Sequence, residues 1–258
     1  MFRATSCAFF SLLLPDDCRV CGQPLHEISR VPVCPVCLRA PVPLDAEFFC
    51  VSCRTPFHNR FPLDEKGRCA LCRNGLRGFD SAYSFGFYDG VLRQLIHLYK
   101  YRKVRTLAGP LGDLLLRALP RDEAFDCVTP VPLHWRKRWQ RGFNQADLLA
   151  RWIAWRTGIP RTRLLRRLRF TASQSSLSNT SRRRNVSAAF ACRRPDRAVG
   201  RKILLIDDVM TTGSTAAACA LALKRAGAAR VALLTLARAD RRFMFSRGPV
   251  PSVVEETF

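Results

Sequence analysis

The chain has 258 residues and a mass of 29.2 kDa, and 43 Lys+Arg against 20 Asp+Glu leave a formal charge of +23. Apolar residues at 48% exclude a disordered basic tail, and the composition also excludes collagen-like and coiled-coil chains. The charge calls for polyanionic company: nucleic acid, a phosphorylated ligand or acidic lipid. Only six of the 43 cations are Lys, and Arg is the planar, bidentate partner of phosphate, although a GC-rich coding bias produces the same excess on a surface. No stretch reaches the roughly 18 apolar residues that span a bilayer. The nearest, Cys7 to Leu14, closes at Pro15-Asp16-Asp17 without a cleavage pattern, so a cytoplasmic chain with no membrane span is expected.

Eight of the twelve cysteines form four C-x-x-C pairs: Cys18/Cys21, Cys34/Cys37, Cys50/Cys53 and Cys69/Cys72. A C-x-x-C turn lets two thiolates converge on one tetrahedral ion, and two such turns close a four-cysteine structural zinc site. Taken in order, the pairs make two sites, and a cross-brace in which the first and third pairs share an ion is the alternative. Sequential pairing is favoured because each half then reads as a zinc ribbon, with short apolar strands (Val31, Val33; Phe48, Phe49, Val51) leading into the knuckles. The expected cofactor is therefore structural Zn2+, two ions per chain, with most of the folding free energy of residues 18–72 coming from metal. His26 and His58 fall off the paired spacing and read as surface or packing residues. Cys7, Cys127, Cys192 and Cys219 read as buried apolar thiols.

From Ser81 the pattern changes to α/β. A strand is predicted over Ala82 to Tyr88, a helix from Leu92 through Leu95, Ile96 and Tyr99, a second helix over Leu107 to Leu119 and a short strand over Phe125 to Val131. A helix opening near Asn144 is predicted to bury Leu148, Leu149, Trp152 and Ile153 and to stop at Gly158 and Pro160. Residues 161–201 hold twelve Arg and one acid, Asp196. They read either as a solvated basic linker or as a loop that closes over an anion. Arg201 to Ile206 and Val231 to Leu236 are continuous apolar runs typical of strands covered on both faces, joined by an Ala/Leu helix from Ser214 to Ala226 that Gly227 stops; this is a βαβ unit of a parallel sheet. The expected division is a segment 1–17, a double zinc ribbon 18–78, an α/β domain 79–240 and a loosely ordered tail 241–258.

The most specific string is Asp207-Asp208-Val209-Met210-Thr211-Thr212-Gly213-Ser214-Thr215. An apolar strand delivers two carboxylates, and a Thr/Gly/Ser turn then opens a helix whose N–H groups and hydroxyls face one anion. The carboxylates would repel phosphate, so sugar hydroxyls or hydrated Mg2+ are their natural partners. Phosphate at one end and vicinal hydroxyls at the other describe a ribose 5-phosphate.

This string resembles the binding motif of the type I phosphoribosyltransferases, in which two acidic residues after an apolar strand are followed by T-T-G-x-T. The resemblance implies that Asp207 and Asp208 hold the ribose hydroxyls of phosphoribosyl pyrophosphate (PRPP) and that Met210 through Thr215 hold its 5′-phosphate, with Mg2+ accompanying PRPP. More closely, the chain resembles the ComF family (ComFC/GntX-like), which joins an N-terminal zinc ribbon to a phosphoribosyltransferase domain. Pro130-Val131-Pro132-Leu133-His134, then Arg138 and Arg141-Gly142-Phe143-Asn144-Gln145, resemble that family's P-V-P-L…R-G-F-N-Q. Leu98-Tyr99-Lys100-Tyr101 resembles its L-K-Y segment, and Gln174…Leu177…Arg183…Asn185-Val186…Phe190 its Q-x-x-L…R…N…F stretch. The likeness covers roughly residues 18–237. It implies a type I phosphoribosyltransferase-like parallel sheet with flanking helices, preceded by a small four-cysteine zinc-ribbon domain. Val131, Pro132, Leu133, His134, Arg138 and Arg141 become candidates for a pyrophosphate loop, since open α/β sheets bind ligands at strand carboxyl ends. His134 is also a candidate acid or base.

The resemblance further implies a role in uptake of transforming DNA, with single-stranded DNA and competence proteins as partners. Two readings follow. In one, a nucleophile that the sequence does not identify displaces pyrophosphate and Asp207/Asp208 stabilise positive charge on the ribose. In the other, a nucleic-acid module keeps the phosphate site for ligand sensing, with Trp135 and Trp139 beside Arg136, Lys137 and Arg138 suited to stacking.

Overall fold

The computed structural model describes residues 16–25, 29–74, 76, 78–133, 139–168 and 189–239. The Cys7 to Leu14 stretch, His26, the 134–138 string with His134 and Arg138, the motif residues between 169 and 188, and the tail 241–258 lie outside the described residues. Among the described residues no helix is long and apolar enough to cross a membrane.

The frame is a four-stranded parallel sheet of β3 (Ser81–Phe87), β4 (Cys127–Pro130), β7 (Lys202–Met210) and β8 (Arg230–Arg238), in the order β3-β8-β7-β4. Successive residues of a strand face opposite sides, and here both sides are covered. Ile203, Leu205, Val231 and Leu233 face one core with α6 (Ser214–Arg225). Leu204, Ile206, Ala232 and Leu234 face the other, filled from α3 (Gly90–Tyr101), α4 (Ala108–Ala118) and α5 (Gln145–Thr157). This two-sided burial explains the uninterrupted apolar runs in β7 and β8, all of whose residues from Ile203 to Ile206 and Val231 to Leu234 are 0% exposed.

The cysteine-rich segment contributes the short helices α1 (Pro35–Arg39) and α2 (Ala70–Arg73) and an antiparallel pair, β1 (Phe48–Phe49) with β2 (Pro56–Phe57). The expected strand at Val31 and Val33 is absent. The Val33 N–H instead donates to the Val31 carbonyl at 2.8 Å, closing a tight turn just before Cys34. Val51 lies in the turn after β1 and is exposed.

Helix α5 starts at the Asn144 cap, whose Oδ1 accepts from Ala146 N–H at 3.1 Å, and ends at Gly158 as the pattern predicted. Its buried face differs from the expected one. Leu149, Ala150 and Ile153 are covered while Leu148 and Trp152 are half-buried, and the first turn buries Gln145 and Asp147 instead. Asp147 turns inward because Arg161 and Arg163 meet it at 2.5 and 2.7 Å. These two arginines lie where the chain runs along the outer edge of β4, bridging Val128 to Arg161, before the hairpin β5 (Leu165–Arg167) and β6 (Phe190–Cys192).

Candidate functional site

Strand β7 extends four residues beyond Ile206, because β8 pairs with it through Asp207↔Thr235, Val209↔Ala237 and Met210↔Arg238. Asp207 and Asp208 therefore sit within the strand rather than after it, on opposite faces. The Asp208 N–H donates to Asp207 Oδ1 at 2.9 Å. Burial first, then the neighbouring Asp208 charge, push the Asp207 carboxyl up to about 7, against the pull of Lys100, the Asp208 N–H and Arg141.

Beyond Met210 the chain turns through exposed Thr211 and Thr212 to buried Gly213, and α6 begins at Ser214. Gly213 has φ +73°, and a Cβ there would lie 2.8 Å from Met210 Cε; a side chain would be strained twice over. The helix has neither a side-chain cap nor an acidic residue in its first turn. The Ser214 N–H donates to Thr212 Oγ1 at 3.4 Å, and the N–H groups after it keep the positive end of the helix dipole available to an anion. Thr212 Oγ1 and Ser214 Oγ are 3.0 Å apart and Thr215 is exposed beside them.

Facing Asp208 is the end of α3. Lys100 Nζ lies 2.7 Å from Asp208 Oδ1, and both side chains are only 12% exposed. Its neighbour Tyr99 is buried and donates its hydroxyl to the Gln145 carbonyl at 3.0 Å. Arg141 donates to Gln145 Oε1 at 3.2 Å and lies over the Tyr101 ring. Gln145 is 1% exposed, and its Nε2 has no hydrogen-bond partner among the described residues.

Val131, Pro132 and Leu133 continue β4 at the same sheet end. Val131 N–H donates to Ile206 O at 2.9 Å, and Asn144 Nδ2 donates to Val131 O at 3.0 Å. The structure thus brings Val131, Arg141 and the Asp207–Thr215 string to one end of the sheet. On the outer side of β4 lies a cavity of about 380 Å³ that Arg151, Arg163, Arg166, Arg167 and Arg193 line with Pro132 and Leu133. The carboxylate in its wall, Asp147, is saturated: burial would raise it, but Arg163, Arg161 and Arg151 outweigh burial and hold it below its ordinary range.

The eight paired cysteines gather as Cys18, Cys21, Cys34 and Cys37 and as Cys50, Cys53, Cys69 and Cys72, the sequential pairing, with the sulfurs of each group within 4.8 Å of one another. A tetrahedral ion with Zn–S of about 2.3 Å requires sulfurs roughly 3.8 Å apart. The Cys21–Cys34, Cys50–Cys72 and Cys53–Cys69 separations are 3.8, 3.7 and 3.6 Å. Backbone N–H groups of Cys34 and Cys69 point at Cys18 and Cys50 Sγ, both at 3.3 Å, as stabilised thiolates require. Burial would raise the Cys18 thiol, yet the backbone donors of Cys21 and Cys34 bring it down to about 6. Both groups fit structural zinc. His58 is exposed and outside both groups.

No protein-family model matches the chain. It is 34% identical to the DNA utilization protein YhgH of Escherichia coli O6:H1 in an alignment that covers 88% of this chain and 99% of that one. It is 30% identical to competence protein ComFC of Bacillus subtilis (88% of this chain, 87% of that one) and 28% identical to competence protein F of Haemophilus influenzae (74% and 97%). The chain belongs to the ComF family. Among solved structures, this ComF protein is similar to an allosteric regulatory enzyme of purine biosynthesis (22% identity, 51% of this chain, 26% of that one, TM-score 0.37). It is similarly related to B. subtilis glutamine PRPP amidotransferase (23%, 50%, 26%, TM-score 0.37). These likenesses are too distant to carry an argument, and the parallel sheet with flanking helices stands on its own strand order.

Sequence reasoning named Lys100 only as part of a family string, and it missed Asp147 and Arg238 altogether. A lone Lys in an amphipathic helix and an Arg at a strand end look like solvated charges. Their partners are 108 and more than 180 residues away in sequence, and no local pattern announces them.

Proposed function

We propose that this ComF protein binds PRPP with Mg2+ at the end of β7 and serves the handling of DNA taken up in natural transformation. The observation that carries the reading is the continuity of Asp207 and Asp208 with an uncapped, acid-free helix start at Ser214, all at one sheet end. Hydroxyls would occupy the carboxylates and the 5′-phosphate would take the turn from Val209 and Met210 through Thr211, Thr212, Gly213, Ser214 and Thr215. Val131, Pro132, Leu133 and Arg141 border the place for pyrophosphate. Bound Mg2+ supplies positive charge to the pyrophosphate. The names of the relatives, a DNA utilization protein and two competence proteins, support the DNA role.

Asp208 meets the ligand already paired with Lys100, so binding requires Lys100 to share or release that carboxylate. Once released, Lys100 is placed to neutralise a leaving anion, while Asp207, ionised, stabilises positive charge on the ribose. Calorimetric titration of PRPP with Mg2+ tests the reading. Wild type should bind, and Asp207→Asn with Asp208→Asn should weaken binding at least about a hundredfold, since hydrogen bonds to charged groups are worth roughly 1.5–3 kcal/mol each. Unchanged affinity in the double variant would refute it.

A second reading, single-strand binding without catalysis, is favoured by the five arginines of the cavity beside β4. There the affinity for an oligonucleotide should fall steeply with salt and weaken in Arg166→Ala/Arg193→Ala. Salt-independent binding would exclude it.

A further inference from the structure

Arg238, at the end of β8, is 3% exposed. It donates to the Cys53 carbonyl at 2.5 Å and to Thr55 Oγ1 at 2.6 Å, and Thr55 Oγ1 lies 2.9 Å from Cys53 Sγ. Among the described residues no carboxylate pairs with Arg238. A guanidinium so buried is costly unless a negative centre adjoins it. A zinc ion held by four thiolates carries a net charge of −2 and supplies that centre.

The same Arg238 is the register partner of Met210, and the next N–H, that of Ala239, donates to Met210 O at 2.9 Å. On the other side of the turn, Leu76 leaves the second knuckle, its N–H on Leu71 O at 3.0 Å, and packs on Gly213, where a Cβ would lie 3.2 and 3.3 Å from its methyls. Gly78 then lies so close to α6 that a Cβ would stand 2.4 Å from the Ala217 carbonyl. The turn from Met210 to Gly213 is therefore clasped between two groups anchored at Cys50, Cys53, Cys69 and Cys72. Among the described residues no such link joins the first group of cysteines to the Met210–Gly213 turn: Cys18 and Cys37 belong to the core on the opposite face of the sheet, with Phe85 and Leu92.

We propose that the second zinc centre, at Cys50, Cys53, Cys69 and Cys72, positions the phosphate turn through Arg238 and Leu76, so that ribose 5-phosphate binding depends on zinc at that centre and not at the first. The inference rests on the reading of the turn as the PRPP phosphate site. Coupling between the two sites is reciprocal: if zinc favours PRPP, PRPP must retain zinc.

The test uses the full, zinc-loaded chain. PRPP affinity with Mg2+ is measured by calorimetry for wild type, Arg238→Met, Leu76→Ala and Val33→Ala, which loosens only the first centre. Zinc release to a chromogenic chelator is followed with and without saturating PRPP. Arg238→Met and Leu76→Ala should weaken PRPP by about tenfold or more, an effect of the size of ordinary allosteric coupling, while Val33→Ala should stay within about twofold. PRPP should slow release of one ion of the two. Leu76→Ala touches neither sulfur nor guanidinium, so it reports on the clasp even if Arg238→Met sheds its zinc. If wild type binds PRPP but the Arg238 and Leu76 variants bind equally well, or PRPP slows both ions or neither, the inference falls alone. If wild type does not bind PRPP, the reading of the site falls with it.

Discussion

The two four-cysteine groups repeat one spacing and occupy different worlds. In the first, Cys21 is exposed and Cys34 half-buried, and the group sits against the face that carries α3 and α4. In the second all four sulfurs are buried, and the group shares a core with Met210, Ala216 and Cys219 of the strand–turn–helix unit. Spacing therefore encodes chelation, while the surrounding apolar residues decide whether a knuckle is an outer clip or part of the frame that shapes a binding turn.

The largest effect expected from this contrast is on stability. Cys69→Ser should leave one zinc per chain and cost roughly 3–5 kcal/mol, because metal affinity at a buried group is folding free energy. Cys21→Ser should cost only about 1–2 kcal/mol, its replacement oxygen being open to water. Urea denaturation with zinc counting checks both, and equal losses would erase the distinction between the centres.

Next comes Lys100, which reaches the site from the face of the first centre. Lys100→Gln strands the carboxylate pair and should cost about 2–3 kcal/mol at pH 8. The loss should shrink as pH falls through about 7, where Asp207 takes up its proton. A penalty independent of pH would mean that Lys100 acts on Asp208 alone and leaves Asp207 untouched.

The smallest effect is a gain. The carboxyl of Asp207 stands at about 7 in the folded chain, against an unfolded value of roughly 3.9. Between those values the folded state holds the extra proton, so its stability falls as pH rises from 4 to 7 and then levels. Asp207→Asn should therefore be neutral below pH 4 and stabilising above pH 7 by roughly 1–3 kcal/mol, less than the ~4 kcal/mol that the full shift would set, because Asp207 is only half-buried and solvent screens it. Thermal denaturation across that range reads it, and a variant less stable at pH 8 would reverse the sign assigned to Asp207.

Much of the frame was legible because its signals are local: the apolar runs of β7 and β8, the Asn144 cap, the Gly158 stop and the C-x-x-C turns. The carboxylates and the turn were legible for the same reason. What escaped depends on distant partners. Asp147 is buried only because Arg161 and Arg163 come alongside β4, and β7 outruns its apolar stretch only because β8 pairs with it as far as Arg238. The ribbon strand expected at Val31 and Val33 is replaced by a turn in which Val33 N–H closes on Val31 O, and the segment meets the first knuckle through the Arg19 N–H to Pro32 O bond.

A crystal structure of the zinc-loaded chain with ribose 5-phosphate and Mg2+ tests the central claim most directly. Phosphate oxygens should lie in the Met210–Thr215 turn, with the ribose hydroxyls on Asp207 and Asp208 and Lys100 displaced from Asp208. A phosphate lodged among Arg163, Arg166 and Arg193, with Lys100 still closed on Asp208, would contradict it.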